Sequence, residues 1–299
     1  MLTLVAGSTG FVGGEVALRL AKRQVQTRAL VRGGVANPKA KHLQDTGIEI
    51  ADGDLTLPET LAAACEGVDT VISTVSSMPS GANDGLRRVD REGTMALIAA
   101  AERAGVSKFV YVSYSGNIHE DSPLQTAKRD CEERLLRSSM QAVILRPSYF
   151  MEMWLSPALG FDPANGSARI YGSGEGKVSY ISAFDVAEFA VAATTREHDQ
   201  KSIILEMGGP DALSQLDAVH LFERALGKEV QLSFLPEAAL QEQHGSSDPL
   251  QKTFAALMLA YAKGDEVSGA RAIAEEHGIA LRSVAEYAAS IRAQQTRVA

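Results

Sequence analysis

The chain is 299 residues long, 45% hydrophobic and 22% charged, with a net charge of −8 at pH 7. That length buries one large core or two modest ones, and no apolar run approaches the roughly 18 residues a membrane helix needs. The acidic balance argues against nucleic acid as a partner, because phosphate backbones are gripped by basic faces.

Short β-branched runs alternate with longer helix-period runs from the start. The opening Met-Leu-Thr-Leu-Val-Ala lacks the basic start and long apolar stretch of a signal peptide. It reads instead as a strand over Leu2–Ala6, followed by a helix from about Gly10 to Arg23. Next come a strand at Thr27–Val31, a short helix near Lys39–Gln44 and a strand at Ile48–Ala51. A helix over Leu57–Glu66 is expected to open with a capping box formed by Thr56 and Glu59. Thr70–Val75 is the fourth strand, and a long helix over Gly85–Ala104 ends at Gly105. Phe109–Ser113 is the fifth strand, Ala127–Ser138 a helix, and Ala142–Arg146 the sixth strand. This βα alternation implies a doubly wound parallel sheet of Rossmann type. The strands are continuous apolar runs, as expected where helices cover both faces.

After Pro147 the rhythm breaks into loops and short elements over Tyr149–Tyr180. A helix at Phe184–Thr194 and a strand at Ser202–Met207 are expected to return to the sheet. Beyond Leu213 the pattern is mainly helical, with helices at Leu216–Leu226, Glu237–Gln243, Pro249–Lys263 and Leu281–Ala293. The expected division is a nucleotide domain over residues 1–148 with a returning segment near 184–208. Residues 149–183 and 209–299 form a smaller, mostly helical substrate-binding region over the strand C-termini. The two cysteines, Cys65 and Cys131, form neither a framework nor a CxxC pair and are expected as buried, inert thiols. A reducing, cytoplasmic setting is the corresponding expectation.

Between the first strand and first helix lies Gly7-Ser8-Thr9-Gly10-Phe11-Val12-Gly13. The expected roles are a tight turn at Gly7, close approach of main-chain N–H groups to a pyrophosphate at Gly10, and close helix–strand packing at Gly13. The helix N-terminus adds partial positive charge. The competing reading is a purely structural glycine turn.

The GxxGxxG spacing resembles that of the extended and atypical short-chain dehydrogenase/reductases. Other landmarks agree: Arg32 ending the second strand, Asp52-Gly53-Asp54-Leu55 after the third, Ser73-Thr74-Val75 in the fourth and Tyr111-Val112-Ser113 in the fifth. Lys128, Leu145-Arg146-Pro147 and Phe184-Asp185-Val186-Ala187 complete the set. From residue 1 to about residue 290 the chain is similar to the NmrA-like branch, which includes NADPH-dependent quinone reductases, isoflavone-type reductases and non-catalytic redox sensors. The resemblance implies cofactor contacts from Gly7, Ser8, Thr9, Gly10, Phe11, Val12, Gly13, Arg32, Asp54, Leu55, Thr74, Val75, Lys128, Pro147 and Phe150.

The second strand, Thr27-Arg28-Ala29-Leu30-Val31-Arg32, ends without the carboxylate that NAD-selective sites place there. Arg32 can pair bidentately with a ribose 2′-phosphate, with Lys39 and Lys41 close in sequence. NADP(H) is therefore the expected cofactor. Asp54 matches the family position beside the adenine ring; an Asx turn or helix cap is the competing reading.

The Tyr-x-x-x-Lys pair of many short-chain dehydrogenases is missing. Tyr111, Tyr114, Tyr149, Tyr171, Tyr180, Tyr261 and Tyr287 are followed four residues later by Ser115, Ile118, Met153, Glu175, Phe184, Asp265 and Ile291. Lys128 fits the family's lysine position, but Leu124 stands where its tyrosine would be. The resemblance implies Lys128 and Ser113 as catalytic residues, and Tyr114 is the candidate substitute acid. A solvated helix lysine and a commonplace strand-end hydroxyl are the alternatives for the first two. Pro147, Tyr149, Phe150 and Trp154 follow the sixth strand and form either an apolar wall near the nicotinamide or plain core. No His, Cys or Asp spacing suggests a metal, and no GxSxG nucleophile is present.

Two functions fit. One is reduction of a quinone or conjugated enone by hydride transfer, which tolerates the missing acid. The other is a non-catalytic NADP(H) sensor or structural cofactor-binding subunit. The expected partner is a flat, apolar small molecule, with neither nucleic acid nor membrane; a homodimer is the assembly entertained.

Overall fold

The computed structural model describes residues 1–78, 84–196 and 200–298. It divides into two compact units. The first comprises Met1–Tyr114, Pro123–Arg146 and Val186–Leu205; the second comprises Ser115–Ser122, Pro147–Asp185 and Glu206–Ala299.

The first unit alternates strands and helices in chain order. These are β1 (Leu2–Ala6), α1 (Phe11–Lys22), β2 (Gln26–Val31), α2 (Ala40–Gln44), β3 (Glu49–Asp52), α3 (Leu61–Cys65) and β4 (Thr70–Ser73). A π-helical stretch, Leu86–Gly93, runs into α4 (Thr94–Arg103), followed by β5 (Lys108–Val112), α5 (Pro123–Leu136) and β6 (Gln141–Pro147). Across the second unit come α6 (Met151–Trp154), β7 (Phe161–Asp162), β8 (Ser167–Tyr171) and β9 (Lys177–Val178). The returning elements are α7 (Ala183–Thr195) and β10 (Ser202–Met207).

Seven strands form the central sheet in the order β10-β6-β5-β4-β1-β2-β3. β1 pairs in parallel with β2 and β4, and the pairs β2–β3, β4–β5 and β5–β6 are parallel too. The chain therefore leaves β1 in one direction and returns for β4 on its other side. That reversal opens a crevice at the strand C-termini, where such sheets bind ligands. Leu4, Leu30, Val71, Phe109, Tyr111 and Ile144 pack from the strands against Leu97, Ile98, Cys131 and Leu135 from the helices. α1 turns Val16, Ala17 and Leu20 onto the sheet, its apolar stripe following the helical repeat.

The second unit continues with β11 (Leu213–Ser214), α8 (Gln215–Leu226), β12 (Gln231–Leu235), α9 (Glu237–His244), α10 (Pro249–Lys263), α11 (Ala270–Glu276) and α12 (Val284–Val298). It holds a three-stranded sheet, β12-β8-β7, and a two-stranded one, β11-β9. A capping box does open α8: Ser214 Oγ accepts from the Asp217 N–H at 3.0 Å, and Asp217 accepts from the Ser214 N–H at 3.0 Å.

Several expectations are corrected. Thr56 and Glu59 form no capping box. Pro58, without an N–H, opens a 3-10 turn over Pro58–Thr60, and the Thr56 hydroxyl instead donates to Asp54 at 2.8 Å. The long fourth helix begins as a π-helix rather than an α-helix. The helix expected from Ala127 starts at Pro123, whose fixed φ suits a first helical turn. β12 and α11 fall in the stretches left unassigned between the expected helices of a region read as mainly helical. No helix among the described residues is long and apolar enough to cross a membrane.

Candidate functional site

The glycine turn is built by close approach. Gly7 has φ +85°, in the left-handed region, and its N-terminal neighbour strand delivers it under Thr74. A Cβ on Gly7 would stand 2.6 Å from Thr74 Oγ1, and one on Gly13 would stand 2.3 Å from Gly7 O and 2.5 Å from Thr74 Oγ1. Thr74 thus packs on both framework glycines, while its hydroxyl donates to Ala6 O at 3.2 Å. Gly10 is different: among the described residues its Cβ would meet only Gly7 O, at 3.2 Å, and the residue is exposed. It is the N-cap of α1, provides no side-chain cap, and is followed by no acidic residue in the first turn. An anion-accepting helix end therefore faces outward from a turn closed by the Gly10 N–H donating to Gly7 O at 2.9 Å. The residues present fit a pyrophosphate.

The remaining turn residues divide by direction. Ser8 is buried and donates its hydroxyl to Leu30 O at 3.0 Å, tying the turn to β2; only its main chain is left for a ligand. Thr9 O accepts from Lys39 Nζ at 3.2 Å, so that ammonium lies over the turn. Phe11 is 53% exposed at the helix start, beside half-buried Val12. Arg32 is exposed just past β2, forms no ion pair among the described residues, and its carbonyl is held by Asn37 Nδ2 at 3.0 Å. Asp52 is the nearby carboxylate, its Cβ 3.0 Å from where a Gly34 Cβ would be. Asp54 closes an Asx turn, accepting from the Thr56 N–H and hydroxyl at 2.8 Å each. Leu55 and Val75 are buried, Leu55 within the hydrophobic core cluster.

Lys128 is not a solvated helix lysine. It is 5% exposed, and its ammonium donates to Val75 O at 3.1 Å and Val112 O at 3.2 Å. These carbonyls lie just beyond β4 and at the end of β5, so the charge sits at the sheet's C-terminal edge. The third N–H has no acceptor among the described residues. Burial pulls the ammonium below its usual range, while Asp90, Cys131 and Glu132 oppose that pull. Its Nζ lies 5.1 Å from the Tyr111 ring centroid.

Ser113, also buried, donates its main-chain N–H to Leu145 O at 2.8 Å. Its hydroxyl lies beside Glu132. Glu132 is 3% exposed and holds two arginines: Arg129 Nη1 at 2.7 Å, and Arg146, which approaches with both Nε (3.1 Å) and Nη2. Burial raises its carboxyl, but Arg146, Ser113 and Arg129 outweigh that and hold it below the ordinary carboxylate range. Tyr114 is half-buried with its hydroxyl oxygen shut off from solvent. The Arg129 guanidinium lies 4.8 Å from its ring centroid.

In the second unit, Tyr149 and Trp154 stand edge-on at 4.6 Å, and both contact Tyr261, at 5.1 and 4.5 Å. The Tyr149 hydroxyl donates to Leu257 O at 3.0 Å and Tyr180 shares a hydrogen bond with Tyr261, so this cluster is substantially core. Phe150 is half-buried and bridges to Ile181, and Pro147 is buried.

Sequence reasoning missed Asp90 and Glu132. Arg146 was noted as part of a motif, and an acidic residue four positions after Lys128 on the same helix was the available signal for Glu132. Asp90 carried none.

The NmrA-like family profile matches residues 2–287. An NAD(P)H azoreductase of Xenophilus azovorans is 32% identical over 253 residues, covering 83% of this chain and 82% of that protein. A photosystem II assembly factor, Ycf39 of Trieres chinensis, is 31% identical over 243 residues, 79% of this chain and 72% of that protein. An NADPH-dependent quinone oxidoreductase of Escherichia coli, solved with NADPH, superposes with a TM-score of 0.78 at 23% identity, covering 97% of this chain and 99% of that one. With a profile spanning nearly every residue and a relative 32% identical across 83% of it, the chain belongs to the NmrA-like family.

Proposed function

We propose that this chain binds NADP(H) and reduces a planar, electron-poor acceptor such as a quinone or conjugated enone. The observation that carries the reading is the open glycine turn flanked by Arg32 and Lys39, with no carboxylate ending β2. Its main-chain amides hold the pyrophosphate, and the exposed guanidinium of Arg32 pairs with the 2′-phosphate. Lys128 offers its remaining N–H to ribose hydroxyls from a fixed, buried position. When bound, NADPH supplies the hydride. An acceptor that delocalises the resulting charge is weakly basic, so water or Lys128 suffices as proton source and the absent tyrosine is tolerated. The named azo- and quinone-reducing relatives support this choice of acceptor.

The second reading is a non-catalytic cofactor-binding subunit. It is favoured by Leu124, buried at the place of the tyrosine, and by the likeness to an assembly factor. Calorimetric titration with NADPH and NADH tests the shared element. NADPH is expected to bind more tightly, and Arg32→Ala to lose about 1.5–3 kcal/mol of NADPH affinity with little change for NADH. Equal affinities in the wild type would sink the assignment.

A further inference from the structure

β12 lies at the edge of the three-stranded sheet of the second unit, paired in parallel with β8. The Gln231 N–H donates to Gly166 O at 2.9 Å, and Leu235 O accepts from the Gly172 N–H at 2.9 Å. Main-chain groups alternate in direction along a strand. Gln231, Ser233 and Leu235 therefore turn theirs to β8, while Leu232 and Phe234 turn theirs to the open edge. No strand among the described residues takes that edge.

The register also sorts the faces. Leu232 stands beside Ala168 and Phe234 beside Ile170, and Phe161 of β7 flanks Ala168 on the other side. Phe161, Ala168 and Ile170 are buried, with the Phe222 ring of α8 at 5.1 Å from that of Phe161. Leu232 and Phe234 lie on the same apolar face yet are 40% and 55% exposed. The helical cover stops one strand short of the edge. The opposite edge is guarded: β7 is two residues long, carries Asp162 and runs into Pro163. The five residues of β12, Gln-Leu-Ser-Phe-Leu, include neither a charge nor a proline.

We propose that β12 is an interface strand that pairs antiparallel with β12 of a second copy of this chain. A two-fold axis at Ser233 places Leu232 opposite the partner's Phe234, and Phe234 opposite the partner's Leu232. These are the residues whose N–H and C=O point outward, so each pair exchanges both bonds, about four in all. The same pairs set an aromatic ring against an aliphatic side chain on the apolar face. A slip by one residue would set apolar side chains against polar ones and misalign the donors. Charge favours a like partner at this place. The chain carries −8, and two copies meet with least repulsion over an uncharged segment. A ladder this short is small beside a standard interface of about 1,200–2,000 Å2, so the dimer is weak and forms with rising concentration.

The test is sedimentation equilibrium of the ligand-free full chain over a range of concentrations, with a reversible monomer–dimer equilibrium expected. Leu232→Lys/Phe234→Lys sets ammonium opposite ammonium and is expected to weaken the dimer by about tenfold or more. Leu232→Glu/Phe234→Lys sets opposite charges across the same pairs and is expected to recover it. Both positions are exposed, and thermal melts matching wild type show that the variants fold. Ser233→Cys gives an independent reading at the axis. Facing residues of such a non-hydrogen-bonded pair lie about 4.5 Å apart, within disulfide reach. Mild oxidation is expected to link Ser233→Cys into a covalent dimer but not Gln231→Cys, which faces the partner's Leu235; the native Cys65 and Cys131 are buried. A monomer at every concentration overturns the proposal and leaves the edge to a strand of a different protein. A dimer indifferent to the two lysines, or one that links through Gln231→Cys and not Ser233→Cys, overturns it as well.

Discussion

Gly10 and Gly13 lie three residues apart in one turn yet should fail in opposite ways. At Gly13 a methyl group would sit 2.3 Å from Gly7 O, 2.6 Å from Gly7 C and 2.5 Å from Thr74 Oγ1. Main-chain atoms cannot rotate aside, so α1 must lift from β1 by about an ångström, and overpacking of this kind costs about 3 kcal/mol. For a unit of this size that is a fall of roughly 6–12 °C in Tm. At Gly10 the only neighbour among the described residues is Gly7 O, at 3.2 Å, and φ −88° with ψ 174° is extended backbone that valine adopts. Losing glycine as N-cap costs about 1 kcal/mol, or roughly 2–4 °C. The side chain would, however, project where a phosphate meets the helix end. Thermal melts should therefore show Gly13→Ala strongly destabilised and Gly10→Val nearly native. NADPH titration well below both midpoints should find Gly10→Val without measurable affinity. A Gly13→Ala protein melting like wild type would refute the packing argument, and normal NADPH binding by Gly10→Val would refute the placement of the pyrophosphate.

Two other expectations follow from the sheet edge. Glu132→Gln leaves two guanidiniums facing each other, and since each is partly exposed the loss should fall near the low end for a broken buried pair, about 3 kcal/mol. Because the folded Glu132 carboxyl titrates below the unfolded one, its contribution is complete above the unfolded value and drains away as pH falls through the folded one. Urea melts of wild type and Glu132→Gln should thus converge in acid; a gap that persists there would contradict the assigned ion pairs. For turnover, NADPH oxidation should proceed with quinones or enones and be negligible with simple ketones, whose alkoxides need a matched acid. Lys128→Ala should lower both NADPH affinity and rate. Robust ketone reduction would point to Tyr114 as an overlooked donor, and no oxidation by any acceptor alongside tight binding would favour the non-catalytic reading.

The nucleotide half was legible because its signals are local. β1, β4, β5 and β6 are unbroken apolar runs, and the glycine turn sits directly between a strand and an amphipathic helix. The alternation Val230, Leu232, Phe234 was equally plain and marked β12, yet it was submerged in a helical neighbourhood. What could not be read was long-range. Lys128, Asp90 and Glu132 look like ordinary polar positions on helices, and only the tertiary fold buries all three. Thr56 satisfied the sequence rule for a cap, but Pro58 and the carboxylate of Asp54 captured it differently. The π-helical stretch has no composition of its own, and at its end Gly93 packs onto Leu55, where a Cβ would come within 2.7 Å.

The glycine turn is clamped from three directions: Ser8 on Leu30, Lys39 on Thr9, and Thr74 on Gly7 and Gly13. Fixing a residue's main chain costs about 1–2 kcal/mol, and here that entropy is lost when the unit folds rather than when a ligand arrives. Association at this turn is therefore a rigid docking event. Its Gly10 amide, bonded to Gly7 O, should already exchange slowly with deuterium in the ligand-free protein, while the unpaired amides of the helix start exchange quickly. Saturation with NADPH should add protection at the helix start without a slow conformational phase in the binding kinetics.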